Sequence, residues 1–239
     1  MSDSTSIPRL GRHLFGVAAI AFGIITLAWH TYNDWHLPAY IAYVAGAAQI
    51  LGGVAIQFRA AAKAGSAVLA AIYLFFALHC LPAIIAAPRV YNSWGNFFEQ
   101  LALFSGPAIV FLSKAPSFST KTQLGIGRFL LALCSSSFAL EQAFYLRNTA
   151  SLVPKWLPPS QTFWAIATTV FFALAALALL VNQKSLLTAR LLTLMLLLFG
   201  LLVWLPLLLS DPHSHANWSE TIETFAIAGS ACILADLLI

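Results

Sequence analysis

The sequence predicts an all-α membrane protein: eight transmembrane helices as two tandem, parallel four-helix bundles, each helix needing about 20 apolar residues to cross a hydrocarbon core of about 30 Å. Three observations predict it. Hydrophobic residues make up 60% of the 239-residue chain, 8% is charged and the mean hydropathy is +0.85, outside the range of water-soluble domains. A motif also recurs at constant spacing: Leu81-Pro82, Pro88, Trp94 and Glu99 return as Leu205-Pro206, Pro212, Trp218 and Glu223. Finally, Gly11-Arg12-x-Leu14 and Phe22 return as Gly127-Arg128-x-Leu130 and Phe138, at a second constant spacing. The units are read as residues 1–117 and 118–239. An even number of spans in each unit inserts both copies the same way round, giving a pseudo-two-fold axis along the membrane normal.

The elements follow in order. Met1 to Pro8, rich in Ser, Asp and Thr, reads as a short tail. The first span runs from about Gly11 to His30 and is expected to be retained, because no small-residue cleavage site follows it. A turn with Asn33, Asp34 and Pro38 leads to a second span, about Ala39 to Gln57, whose Gly46, Gly52 and Gly53 suit close helix approach. The third span, about Ala64 to Ala87, carries His79, Cys80 and Pro82, the proline marking a kink near its end. The fourth runs from about Ser93 to Leu112, and Lys114 to Lys121 reads as a linker between halves.

Span five covers about Leu124 to Leu146, and a turn with Asn148, Pro154, Pro158 and Pro159 precedes span six, about Ser160 to Val181. Asn182 to Ser185 is a tight turn. Span seven is the Leu-rich run from about Leu186 to Leu209, and span eight begins near Ser219. Asn217 with Glu220 has the form of a capping box.

Charge sets the expected orientation. Arg9, Arg12, Arg59, Lys63, Lys114, Lys121, Arg128, Lys184 and Arg190 fall on one side, against Arg89, Arg147 and Lys155 on the other, out of 12 basic residues. The positive-inside rule then places both termini in the cytoplasm, as for a protein of the bacterial inner membrane. Trp29, Tyr32, Trp35, Tyr91, Trp94, Trp156 and Trp218 fit the opposite interface. The net charge of +4 comes from residues scattered singly at span ends, so no nucleic-acid partner is expected.

Ionisable groups inside a bilayer are costly, so those present are functional or paired. On this topology His79, Glu99, Glu141 and Glu223 lie deepest toward the outer leaflet and form the candidate ligand-binding set; His30, His36, His213 and His215 lie in the same zone. One reading is an outer-leaflet site for a quinone-like headgroup or a proton relay, with His79 hydrogen-bonded to Glu99. The other places Glu99 and Glu223 near helix N-termini, where the helix dipole stabilises a carboxylate without function. Haem ligation by His30 and His79 rests on two lone histidines and is not favoured. His213-x-His215 lacks the partners of a metal set apart from Asp211, and no metal is expected. Cys80, Cys134 and Cys232 are isolated, without a C-x-x-C pair. Glu141 and Arg147 do not share a close helical face, and Arg147 is expected to reach the interface. P-loop and nucleophile-elbow patterns are absent.

The repeated unit resembles the DoxX-like integral membrane proteins. The resemblance is carried by Gly11-Arg12-His-Leu-Phe, Ala21-Phe-Gly23, Ala45-Gly46 with Gly52-Gly53, His79-Cys-Leu81-Pro82 and Trp94-x4-Glu99 in the first half. In the second half it is carried by Val153-Pro-Lys-Trp156-x-Pro158, Trp164 and Trp218-x4-Glu223. It implies a small membrane protein linked in some members to quinone-dependent sulfur oxidation or respiratory complexes, and related to vitamin K epoxide reductase-like four-helix folds. The paired cysteines of that thiol chemistry are missing, so the activity does not transfer. Two functions are expected: a non-catalytic membrane subunit or scaffold of a larger, respiratory-type complex, whose partners are the lipid bilayer and other membrane-protein subunits, or a quinone- or lipid-binding redox protein with a site near the outer leaflet.

Overall fold

The computed structural model describes residues 10–33, 35, 37–115 and 119–239. The predicted N-terminal tail, Asp34, His36 and the middle of the linker lie outside the described residues. The described chain is helical, with no strand among its described residues. The helices are α1 (Leu10–Trp29), α2 (Ala39–Ala55), α3 (Ala62–His79), α4 (Leu81–Ala86), α5 (Tyr91–Ser113), α6 (Thr120–Phe144), α7 (Leu146–Leu152), α8 (Gln161–Leu180), α9 (Ser185–Phe199), α10 (Leu205–Ser210) and α11 (His215–Leu237). A π-helical turn, Gly200–Trp204, joins α9 to α10.

Five stretches are long and apolar enough to cross a membrane: Leu10–Trp29, Ala62–Ala86, Thr120–Phe144, Gln161–Leu180 and Ser185–Ser210. These are the dimensions of an integral membrane protein. The expectation of eight such spans is therefore met only in part. Helix α2 is apolar but has 17 residues. Helices α5 and α11, 23 residues each, have the length but both carry Glu, Asn and Ser. The physical reason lies in their position. Most of α11 is buried against α1, α9 and α5, so its side chains meet protein rather than lipid and need not be apolar.

The helices pair differently from two bundles standing side by side. Helix α1 packs mainly on α2 and α11, α3 on α5, α6 on α5 and α8, and α9 on α11, while α5 and α11 cross between the halves. Helices α1 and α5, at the two ends of the first half, scarcely touch. The first helix of each half thus packs on the last helix of the other half. The recurring Gly-Arg pair explains why: Gly11 lies against the backbone of Ile233, and Gly127 against the side chain of Ile109, with a β-carbon at 127 falling 3.0 Å from Ile109 Cδ1. Within the first half, α1 and α2 are seated by Gly16 and Gly23 facing Gly53 and Gly46, each against the backbone of the other helix. Large apolar side chains such as Val17, Leu51, Leu174 and Leu201 stand exposed around the outside, as a lipid-facing belt requires.

The start of α1 and the end of α11 share one face, where the Gly11 amide donates to Asp236 Oδ2 at 2.9 Å. On the opposite face the repeated Pro-x5-Trp motif is a local clasp. Trp94 Nε1 donates to the Pro88 carbonyl at 3.1 Å and Trp218 Nε1 to the Pro212 carbonyl at 2.9 Å. Trp164 makes the same bond to Pro158 at 2.7 Å. The two matched prolines inside the spans act differently. Pro82 opens α4 after a break at Cys80, whereas Pro206 follows the π-helical turn that accommodates it. The long turn expected after span five contains α7, a short helix of its own.

Candidate functional site

The polar groups converge where α5, α6 and α11 meet, on the face opposite the Gly11–Asp236 bond. Glu223 is the anchor, 5% exposed. Its Oε1 accepts from Gln100 Nε2 at 3.2 Å, and its Oε2 accepts from Asn33 Nδ2 at 3.1 Å. Gln100 Oε1 in turn accepts from the Tyr32 hydroxyl at 2.6 Å. Tyr32 is fully buried, stacked on Phe22 and Phe76 with ring centroids 5.1 and 3.6 Å away. Its expected place at the membrane interface is thus corrected: the turn after α1 folds inward and carries the ring into the core. Asn33 reaches Glu223 from a left-handed backbone conformation (φ 46°), which asparagine tolerates better than most residues.

Glu99, Glu141 and Glu220 surround this anchor, partly exposed and within electrostatic reach of it and of each other. Glu141 is held by a specific fit. Its carboxylate occupies the space that a side chain at Gly95 would fill, so α5 has room for α6's acid only because residue 95 is glycine. No lysine or arginine among the described residues pairs with any of the four. The side-chain oxygen of Asn33 is also buried there without a hydrogen-bond partner.

Glu99, Glu141 and Glu223 are therefore brought together, and His79 is not. His79 is exposed, its ring 5.4 Å from Trp35 and 6.5 Å from Phe75, and no hydrogen bond joins it to Glu99 among the described residues. Helix phase explains the difference. The next residue, Cys80, turns inward, 6% exposed and within electrostatic reach of Glu99 and Glu223. The helix-dipole reading of Glu99 and Glu223 also fails on position. Helices α5 and α11 begin at Tyr91 and His215, so both acids lie about two turns inside, beyond the first turn where the dipole acts.

The sequence pattern places Glu220 in a capping box with Asn217, but the cap of α11 is Ser214, whose hydroxyl accepts from the Asn217 amide at 3.3 Å. Asn217 instead donates its side-chain amide to the carbonyls of Leu207 and Asp211, leaving Glu220 to join the acids. Its sequence signal was another acid one turn ahead of Glu223 on the same helical face. Gln100 was visible only as an amide in an apolar run.

The remaining histidines lie elsewhere. His30 packs on Tyr43, 5.4 Å between centroids, so His30 and His79 face different rings. His215 is buried against Trp29, and His213 is exposed. Among the described residues no group of three or more His, Cys, Asp or Glu side chains is arranged to hold a metal ion. No family model, no curated protein and no solved structure matches this chain.

Proposed function

We propose that this is a ligand-binding integral membrane protein whose site at the α5–α6–α11 junction takes a headgroup rich in hydrogen-bond donors. The observation that carries the reading is an excess of acceptors: four carboxylates and the Asn33 carbonyl oxygen, with no lysine or arginine paired to them among the described residues. Such a site asks for donors or positive charge from its ligand. A protonated amine and a hydroquinone both supply them, the latter in keeping with a quinone-linked role. The distribution of basic residues supports an orientation with the carboxylates toward the outer leaflet and the shared face of α1 and α11 toward the cytoplasm of a bacterial inner membrane. We read the two halves as copies of one four-helix unit, on their shared motifs and the matched contacts Gly11–Ile233 and Gly127–Ile109, and that unit as DoxX-like on its motifs alone.

The test is titration of the purified protein in detergent with a long-chain alkylammonium and with a short-chain hydroquinone, read by tryptophan fluorescence. Saturable binding of one of them is expected, weakened about tenfold by Glu99→Gln and by Gly95→Ala, the latter through displacement of Glu141. Preference for the ammonium identifies a cationic ligand, and preference for the hydroquinone a quinol. Binding of neither, or binding indifferent to both substitutions, overturns the proposal.

A second reading, a structural subunit of a larger respiratory-type complex, is supported by the broad apolar face of α8 and α9. Phe163, Leu174, Leu194 and Leu198 stand exposed there. Mild-detergent extraction should then recover a partner protein, and recovery of the chain alone counts against that role.

A further inference from the structure

A groove of about 430 Å³ runs between α3, α5 and α6 toward the face on which α1 begins and α11 ends. Its walls are apolar: Ala67 and Ala70 from α3, Phe104, Ala108 and Phe111 from α5, and Leu130 from α6. The alanines are what open it, since small residues on α3 and α5 leave a trough between bulky neighbours. At its end the charge changes. Lys63 lies one turn before Ala67 on the same face of α3, and its Nζ sits 5.6 Å from the centroid of the Phe111 ring. Lys114 caps α5 two residues beyond Leu112, itself part of the lining. Among the described residues the only acid on this membrane face is Asp236, which accepts the Gly11 amide at the end of α11.

An apolar trough ending in two lysines that pair with no acid among the described residues matches one chemistry: an acyl chain with an anionic headgroup. We propose that the groove is a selective site for an anionic phospholipid, one acyl chain lying along α3, α5 and α6 and the phosphate held by Lys63 and Lys114. A zwitterionic lipid could fill the trough equally well but gains less from the lysines, so selectivity resides in the headgroup. A second groove on the same face, about 440 Å³, is lined by Leu186, Leu187 and Leu238 together with Asn182, Lys184, Ser185 and Arg190. Polar and charged side chains interrupt its wall, whereas the groove between α3, α5 and α6 is lined by Ala, Phe, Leu and Ile alone, so it supplies a cationic comparison without a continuous apolar trough.

The experiment uses the full chain in mild detergent, with phosphatidylglycerol or phosphatidylcholine added and the retained lipid counted by native mass spectrometry. Phosphatidylglycerol should be retained about tenfold better than phosphatidylcholine. Lys63→Glu with Lys114→Glu should abolish that preference while thermal unfolding in the absence of lipid stays unchanged. Ala108→Trp, which fills the trough, should reduce retention of both lipids, and Lys184→Glu should leave the preference intact. Equal retention of the two lipids by the unaltered protein overturns the proposal. So does a preference that survives the double lysine substitution, or one that is lost with Lys184→Glu.

Discussion

Gly11→Ala is expected to destabilise the protein by about 3 kcal/mol, the upper end of the range for overpacking. The β-carbon would meet the backbone nitrogen of Ile233 and the carbonyl carbon of Cys232, not the flexible tip of a side chain, so relief requires α1 and α11 to separate. Separation also weakens the bond from the Gly11 amide to Asp236 Oδ2. The sign is the informative part. Exchanging glycine for alanine inside a helix ordinarily stabilises by roughly 0.5–1 kcal/mol. Gly125 in α6, whose added β-carbon would meet nothing within 4 Å, should follow that ordinary rule. Thermal unfolding in detergent compares the two. Equal shifts would mean that α1 does not close on α11 in this way.

Glu223→Ala is expected to cost about 2–5 kcal/mol, because the buried amide of Gln100 and the half-buried amide of Asn33 lose their acceptor at once. Gln100 Nε2 and Asn33 Nδ2 both donate to this carboxylate, and Gln100 is in turn the acceptor for the Tyr32 hydroxyl. Glu223→Gln should be far milder. The glutamine keeps one acceptor, and Asn33 can turn its amide so that its unpartnered oxygen meets the new NH2. Tryptophan fluorescence and thermal unfolding of both variants check the pair. A Glu223→Ala protein as stable as the Glu223→Gln protein would show that the network does not anchor the turn after α1.

Much of the helix layout was legible because hydropathy and proline spacing report on local segments. The Gly46 and Gly53 face, the Gly-Arg repeat and the Pro-x5-Trp motif all mark positions where backbone or ring packs closely. Pairing between helices was not legible. Hydropathy says that a span faces lipid somewhere but not which span lies behind it, so the crossing of each first helix onto the other half's last helix went unforeseen. The same limit applies to α5 and α11, which read as spans but not as helices whose polar content reflects burial in protein.

At the site, three of the four named residues were visible because an acid within an apolar run is expensive. His79 qualifies by depth alone. Depth does not give the helical phase that turns Cys80 inward and His79 outward. Glu220 was hidden by a capping pattern that Ser214 fulfils instead. Asn33 and Tyr32 were hidden by the habit of turns to face water, which this turn does not follow.

The most direct test of the carboxylate junction is a double-mutant cycle between Glu99 on α5 and Glu141 on α6, using Glu99→Gln, Glu141→Gln and the pair. If the two acids share one site, the effects on unfolding free energy depart from additivity by at least about 0.5 kcal/mol, as coupled neighbours do. Additivity within about 0.3 kcal/mol would mean that the acids act independently, and the shared site would have to be abandoned.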